Sequence, residues 1–382
     1  MFTRINANAN TNKKDPLVQS YHDGDYEGFK KLINMGANVN CMISEKSKYY
    51  PNCLLISAVI ANTPNHPNRK NKLFFDALME SDVHIGQCGF DDTILKNAIE
   101  NNSDIYFMKK ILEKGVDINS YGERTTEQDW DINISDPAIF TAFNSESDEK
   151  IKLLLSYKPD LTKKSNCGTP LLIYLLENNS SLLKKYLPVL IKQGADIHQQ
   201  HSKYKFTFLH TLSNHSYDEE FFDIALNNNA DLEAKDKLGN TPMMSCALFG
   251  IPKTMEIFLK KGAKLNVKNK DGITLAMNAI GNKRGYGLDL LEILKEAGEN
   301  FSMTDNGDNN VLHHMAYKEI SFKTKTLEYS ATKHLKFIME NKDLLSRRNN
   351  KNETPIEVFE ARHPNLYSMI MEKMAKEYIK TL

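Results

Sequence analysis

Between Gly239 and Gly262 the chain reads GNTPMMSCALFGIPKTMEIFLKKG, and this stretch decides the fold. Thr241 is placed to cap a helix through its hydroxyl. Pro242 follows at the first helical position, where its missing N–H leaves nothing unsatisfied. An apolar run ends at Gly250, and a second helix follows with Met255, Ile257, Phe258 and Leu259 on the face that seeks a core. Gly262 then supplies the left-handed conformation that stops a helix. The unit is a short helix, a tight connection, an amphipathic helix and a turn.

The same wording recurs outward in both directions. The turn phrase reads Gly36-Ala37-Asn38-Val39, Gly115-Val116-Asp117-Ile118, Gly194-Ala195-Asp196-Ile197, Asn229-Ala230-Asp231-Leu232 and Gly262-Ala263-Lys264-Leu265. Weaker copies start at Asp82, Lys158, Gly298 and Asn341. Successive starts are 33 to 46 residues apart; the floor of 33 is the period and the excess is insertion. A helix-opening phrase keeps phase with it: Thr169-Pro170-Leu171-Leu172, Thr207-Phe208-Leu209-His210, Thr241-Pro242-Met243-Met244 and Thr354-Pro355-Ile356, with degraded forms at Asp136-Pro137 and Val311-Leu312-His313.

Two phrases in constant phase resemble the ankyrin repeat, with its 33-residue period and T-P-L-H signature. The resemblance implies an all-α ankyrin-repeat solenoid of stacked helix-turn-helix units with β-turn fingers. It covers the chain from about Asp15 onward. The expected organisation is a flexible arm at 1–14, an array of about nine units at 15–350, and a capping repeat at 351–382 ending in a charged helix. The first unit lacks the Thr-Pro opening. Insertions enlarge the turn Asn119 to Ile134 and the helix connections Asn62 to Lys72 and Lys318 to Lys333.

Composition excludes several classes. With 41% hydrophobic and 26% charged residues the chain is globular, and 49 basic against 49 acidic side chains argue against bulk attraction to nucleic acid. No apolar run approaches the length of a membrane span. The N-terminal MFTRINANANTNKKD has no signal-peptide core, and five scattered cysteines without a CxxC pair fit a reducing compartment. A cytoplasmic protein is expected, or one secreted into a host cytoplasm if it is a microbial effector, which the Asn- and Lys-rich composition suits. A monomer without cofactor is expected.

No catalytic or metal site is expected. His210 and His313 hold the fourth position of the opening phrase, where the resemblance implies a histidine that ties turns together. His198 and His201 form an HxxH in a turn without Cys or Glu support. Cys246 falls in a helix where the resemblance implies a small buried residue. The run Gly281 to Gly287 follows no strand and reads as a flexible loop rather than a phosphate cradle.

What remains is the turns. Lys163, Lys164, Lys203, Lys205, Lys235, Lys237, Lys268, Lys270, Arg347 and Arg348 sit at their tips, diluted by Asp236 and Asp271. Aromatics accompany them: Tyr49, Tyr50, Tyr121, Trp130 and Tyr204. The expected function is a non-catalytic protein-binding scaffold. By the family resemblance, its partner lies along the first helices and the turns. The candidate contact residues are Tyr121, Trp130, Lys163, Lys164, Lys203, Tyr204, Lys235 and Lys237. The competing expectation is an enzyme or adaptor whose activity sits in an insertion or in the C-terminal unit.

Overall fold

The structure, a computed structural model, describes residues 15–43, 53–61, 70–83, 87–88, 92–100, 104–121, 123–125, 132–134, 136–214, 219–318 and 327–381. Trp130, Tyr49, Tyr50, the arm at 1–14 and residues 62–69 and 319–326 of two insertions lie outside them. The chain divides into two compact units, 1–175 with 181–195, and 176–180 with 196–382.

In the first unit the helices come in pairs: α1 (Pro16–Asp23) with α2 (Tyr26–Asn34), α3 (Leu55–Ala61) with α4 (Lys70–Glu80), α5 (Ile94–Glu100) with α6 (Ile105–Glu113), and α7 (Ala138–Asn144) with α8 (Asp148–Ser156). A further pair, α9 (Leu171–Asn178) and α10 (Ser180–Lys192), spans the division. First helices pack on first helices and second on second. The turns between pairs carry short antiparallel strands: β1 (Met42–Ile43) with β2 (Cys53–Leu54), β3 (Gln87–Cys88) with β4 (Asp92–Thr93), and β5 (Glu123–Thr125) with β6 (Ile132–Ile134). The enlarged turn is therefore built on a hairpin, in register Glu123↔Ile134.

The second unit repeats the scheme: α11 (Phe208–Leu212) with α12 (Glu219–Asn227), α13 (Pro242–Phe249) with α14 (Pro252–Lys260), α15 (Leu275–Ile280) with α16 (Gly287–Glu296), α17 (Val311–Tyr317) followed by α18 (Leu327–Glu340), and α19 (Pro355–Arg362) with α20 (Pro364–Thr381). Each first helix touches the next along the run α11, α13, α15, α17, α19. They are buried nearly all round; every residue of α15 is covered. Second helices bury one stripe, as Met255, Ile257 and Phe258 do in α14, while Leu259 is only half-buried. Edge-to-face ring pairs join successive second helices: Phe29 with Phe74 at 4.8 Å, Phe75 with Phe107 at 4.7 Å, and Phe222 with Phe258 at 5.0 Å.

The caps follow the opening phrase. The Thr241 hydroxyl accepts from the Met244 N–H at 3.2 Å and the Thr274 hydroxyl from Met277 at 3.3 Å. Thr354 and Glu357 close a reciprocal capping box. The first repeat, which lacks Thr-Pro, opens equivalently: the Asp15 carboxylate accepts from the Leu17 N–H at 2.8 Å and Pro16 holds the first position. In the degraded copy at Asp136-Pro137, the Asp136 carboxylate accepts instead from the Asn166 N–H of the next turn, at 2.7 Å. At the stops, Gly36, Gly115, Gly194, Gly262 and Gly298 are left-handed, and Lys158 and Asn229 adopt the same conformation without being glycine. The weak copy at Asn341 departs, opening a 3-10 turn at Lys342–Leu344.

Candidate functional site

In the second unit the turns between helix pairs are laced to one another through their backbones. The Lys237 N–H donates to the Tyr204 carbonyl at 2.9 Å and Lys270 to Leu238 at 3.1 Å. Asn306 donates to Asp271 at 3.0 Å and Asn350 to Gly307 at 2.9 Å. This close approach explains two glycines. A Cβ on Gly239 would stand 3.0 Å from the Lys270 backbone nitrogen, and one on Gly272 would stand 2.6 Å from that of Asn306.

Beneath the lacing, polar side chains fix each turn. Asp236, itself buried, accepts from the Asn240 N–H at 2.8 Å and from its amide at 3.1 Å. Asn269 donates to Asn240 at 2.9 Å, and Asn349 to Asn309 at 2.8 Å. His210 and His313 do what the resemblance implied. The Nδ1 of His210 accepts from the Thr207 N–H, and its Nε2 donates to the Asn240 carbonyl of the next turn at 3.0 Å. His313 repeats this with Asn310 and Glu353.

On this rigid row two apolar side chains are left open: Tyr204 is 45% exposed and Leu238 57%. They occupy adjacent tips, since Lys237, next to Leu238, is the residue bonded to the Tyr204 carbonyl. His201 Nδ1 accepts from the N–H groups of Lys203 and Tyr204 at 3.1 and 3.3 Å, shaping the turn. The Tyr204 ring stacks on Phe206 at 5.7 Å, with the Lys203 ammonium 5.1 Å from its centre. Lys203, Lys205, Lys235 and Lys237 are exposed and make no ion pair with a described residue. Lys268 and Lys270 turn aside, to the carbonyls of Thr304 at 2.5 Å and Lys237 at 2.7 Å.

In the first unit Tyr121, Lys163 and Lys164 also meet, in a different way. The Tyr121 hydroxyl donates to the Lys164 carbonyl at 3.0 Å, the ring is half-buried, and the Lys163 ammonium is 5.7 Å from its centre. Asn119 accepts from the Asp160 N–H across the same gap at 2.7 Å. Tyr121 thus ties one turn to the next. Of the eight residues singled out in the sequence, these three stand together in the first unit. Lys203, Tyr204, Lys235 and Lys237 stand together in the second.

Leu238 escaped the sequence reading. Its signal was an aliphatic residue directly before a turn glycine, at a tip where neighbouring turns place Asp271 and Gly307.

The remaining chemistry is structural. Among the described residues no group of three or more His, Cys, Asp or Glu side chains is disposed to hold a metal. His314 meets Asp305 at 2.8 Å, but that carboxylate also accepts from the Gly307 and Asn309 N–H groups and serves to hold its turn. Cys246 is fully buried, and burial pushes its thiol far above the usual range. The loop from Gly281 to Gly287 is not loose. Asn282, buried within it, donates to the Ala247 and Gly250 carbonyls at 3.0 and 3.2 Å, and the Lys283 N–H donates to Leu248 at 2.9 Å. No helix among the described residues is long and apolar enough to cross a membrane.

Stacked helix pairs with laced turns define a helical-repeat protein. Residues 172–269 match the family model of ankyrin repeats in three copies, so this stretch of the chain is built of ankyrin repeats. Among solved structures, the crystal structure of the ankyrin repeat domain of Bcl-3, described as a unique member of the IkappaB protein family, is similar to it. The identity is 17%, with 58% of this chain and 92% of that one covered, at a TM-score of 0.44. No curated protein sequence matches the chain.

Proposed function

We propose that this chain is a non-catalytic scaffold that binds a protein partner through the turn-tip row of its second unit, centred on Tyr204 and Leu238 and flanked by Lys203, Lys235 and Lys237. Ankyrin repeats are protein-interaction modules, and the lacing of turn to turn is the observation that carries this reading. Backbone hydrogen bonds and paired glycines hold the tips before any partner arrives, so little ordering entropy opposes association. Tyrosine buries a large area with few rotatable bonds, and an open aliphatic beside it adds apolar contact.

Affinity capture followed by hydroxyl-radical footprinting of the complex tests the placement. Protection of Tyr204 and Leu238 is the expected result. Protection confined to the outer faces of α14 and α16 would move the site off the turns. The Asn- and Lys-rich composition supports extending the reading to a microbial effector acting in a host cytoplasm. Fractionation that finds the chain only in the producing cell would remove that extension.

A further inference from the structure

The lysines of the second unit fall into two populations. Along the second helices they are paired with acids of the neighbouring repeat. Lys260 meets Glu219 at 2.8 Å, Lys261 meets Asp223 at 2.5 Å, Lys295 meets Glu340 at 2.8 Å and Lys333 meets Asp289 at 2.9 Å. At the turn tips, Lys203, Lys205, Lys235 and Lys237 have no such partner among the described residues, although acids lie close in sequence.

Those acids are engaged by backbone N–H groups. Asp231 accepts from the Glu233 N–H at 2.8 Å and Glu233 from the Lys264 N–H at 2.8 Å. Asp236 is buried on Asn240. Carboxylates are thus spent on backbone donors, where charge-assisted bonds are strong. The ammonium groups stay outside, around two open apolar side chains.

We propose that this row takes an acidic polypeptide segment that carries apolar side chains among its carboxylates. The proposal rests on the protein-binding reading above and names the chemistry of its partner. The four cations attract and orient the segment, while Leu238 and Tyr204 receive its apolar groups. A nucleic acid fits less well. Leu238 has no π-face for a base, and one face of the Tyr204 ring is already stacked on Phe206.

The test uses the full chain and fluorescence anisotropy with three probes. One is a short labelled peptide of Asp and Glu interrupted by Leu and Phe, the second is the same peptide with Ser for Leu and Phe, and the third is single-stranded DNA of equal charge. Saturable binding of the first peptide is expected, weakening as salt rises. About tenfold weaker binding is expected for the Ser peptide, and for the first peptide on a Lys203→Glu/Lys237→Glu chain. DNA bound as tightly as the first peptide, no saturable peptide binding, or equal binding after charge reversal would each overturn the proposal. A cellular partner that still protects Tyr204 and Leu238, yet ignores charge reversal, would overturn the acidic segment and leave the scaffold reading standing. A partner that protects neither residue would remove both.

Discussion

His210 and His313 are each fixed in one tautomer by their surroundings. A carbonyl receives the Nε2 proton and an N–H group occupies Nδ1, so adding a second proton breaks the bond to Thr207 or Asn310. Burial holds both imidazoles below their ordinary 6.5, with the carbonyl bond on Nε2 offsetting part of that depression. The unfolded chain takes up protons near the ordinary value while the folded chain resists. Their contribution is therefore complete above the unfolded pKa and is lost as pH falls through it towards the folded one. The urea midpoint should decline between about pH 7 and pH 5, and a His210→Asn/His313→Asn chain should show a shallower decline. Equal slopes would contradict the account. These two residues were legible in the sequence because their place in the opening phrase fixes their role. Leu238 was not, because its importance lies in exposure, which no repeat pattern encodes.

At the scale of elements, the first helices are finished by their neighbours. Asn282 serves the end of α13, the Lys318 ammonium bonds to the Ile280 carbonyl at the end of α15, and His363 donates to Ala316 in α17 at 3.0 Å. In the first unit Lys150 reaches Ile99, near the end of α5, at 2.7 Å. Terminal carbonyls that lack an intrahelical partner are thus satisfied from the next repeat. Asn282→Ala should cost about 1–3 kcal/mol by leaving two carbonyls without a donor, measured by urea unfolding. A change within about 0.5 kcal/mol would show that water replaces the amide. Helix pairs were readable from Thr, Pro and Gly because caps and stops are local. The Gly281 to Gly287 loop was misread because its order comes from carbonyls more than thirty residues away in sequence. The strand pairs of the first unit were likewise invisible, since two-residue ladders leave no alternation to detect.

Across the whole molecule, the 33-residue period announced the repeat, but the division near residues 175–196 left no mark on it. The phrases at Thr169-Pro170 and Gly194-Ala195 are as regular as those on either side, because each reports only the geometry of its own helix ends. The predicted cluster of contact residues divided in the same way, between a first-unit turn that uses Tyr121 for packing and a second-unit row that leaves Tyr204 open. Whether that row binds the partner is decided by calorimetric titration of the captured partner into the wild-type chain and into Tyr204→Ala/Leu238→Ala. The double variant should lose at least about 2 kcal/mol in binding with an unchanged melting temperature, because both side chains are exposed. An affinity equal to that of the wild-type chain, with the same melting temperature, would contradict it.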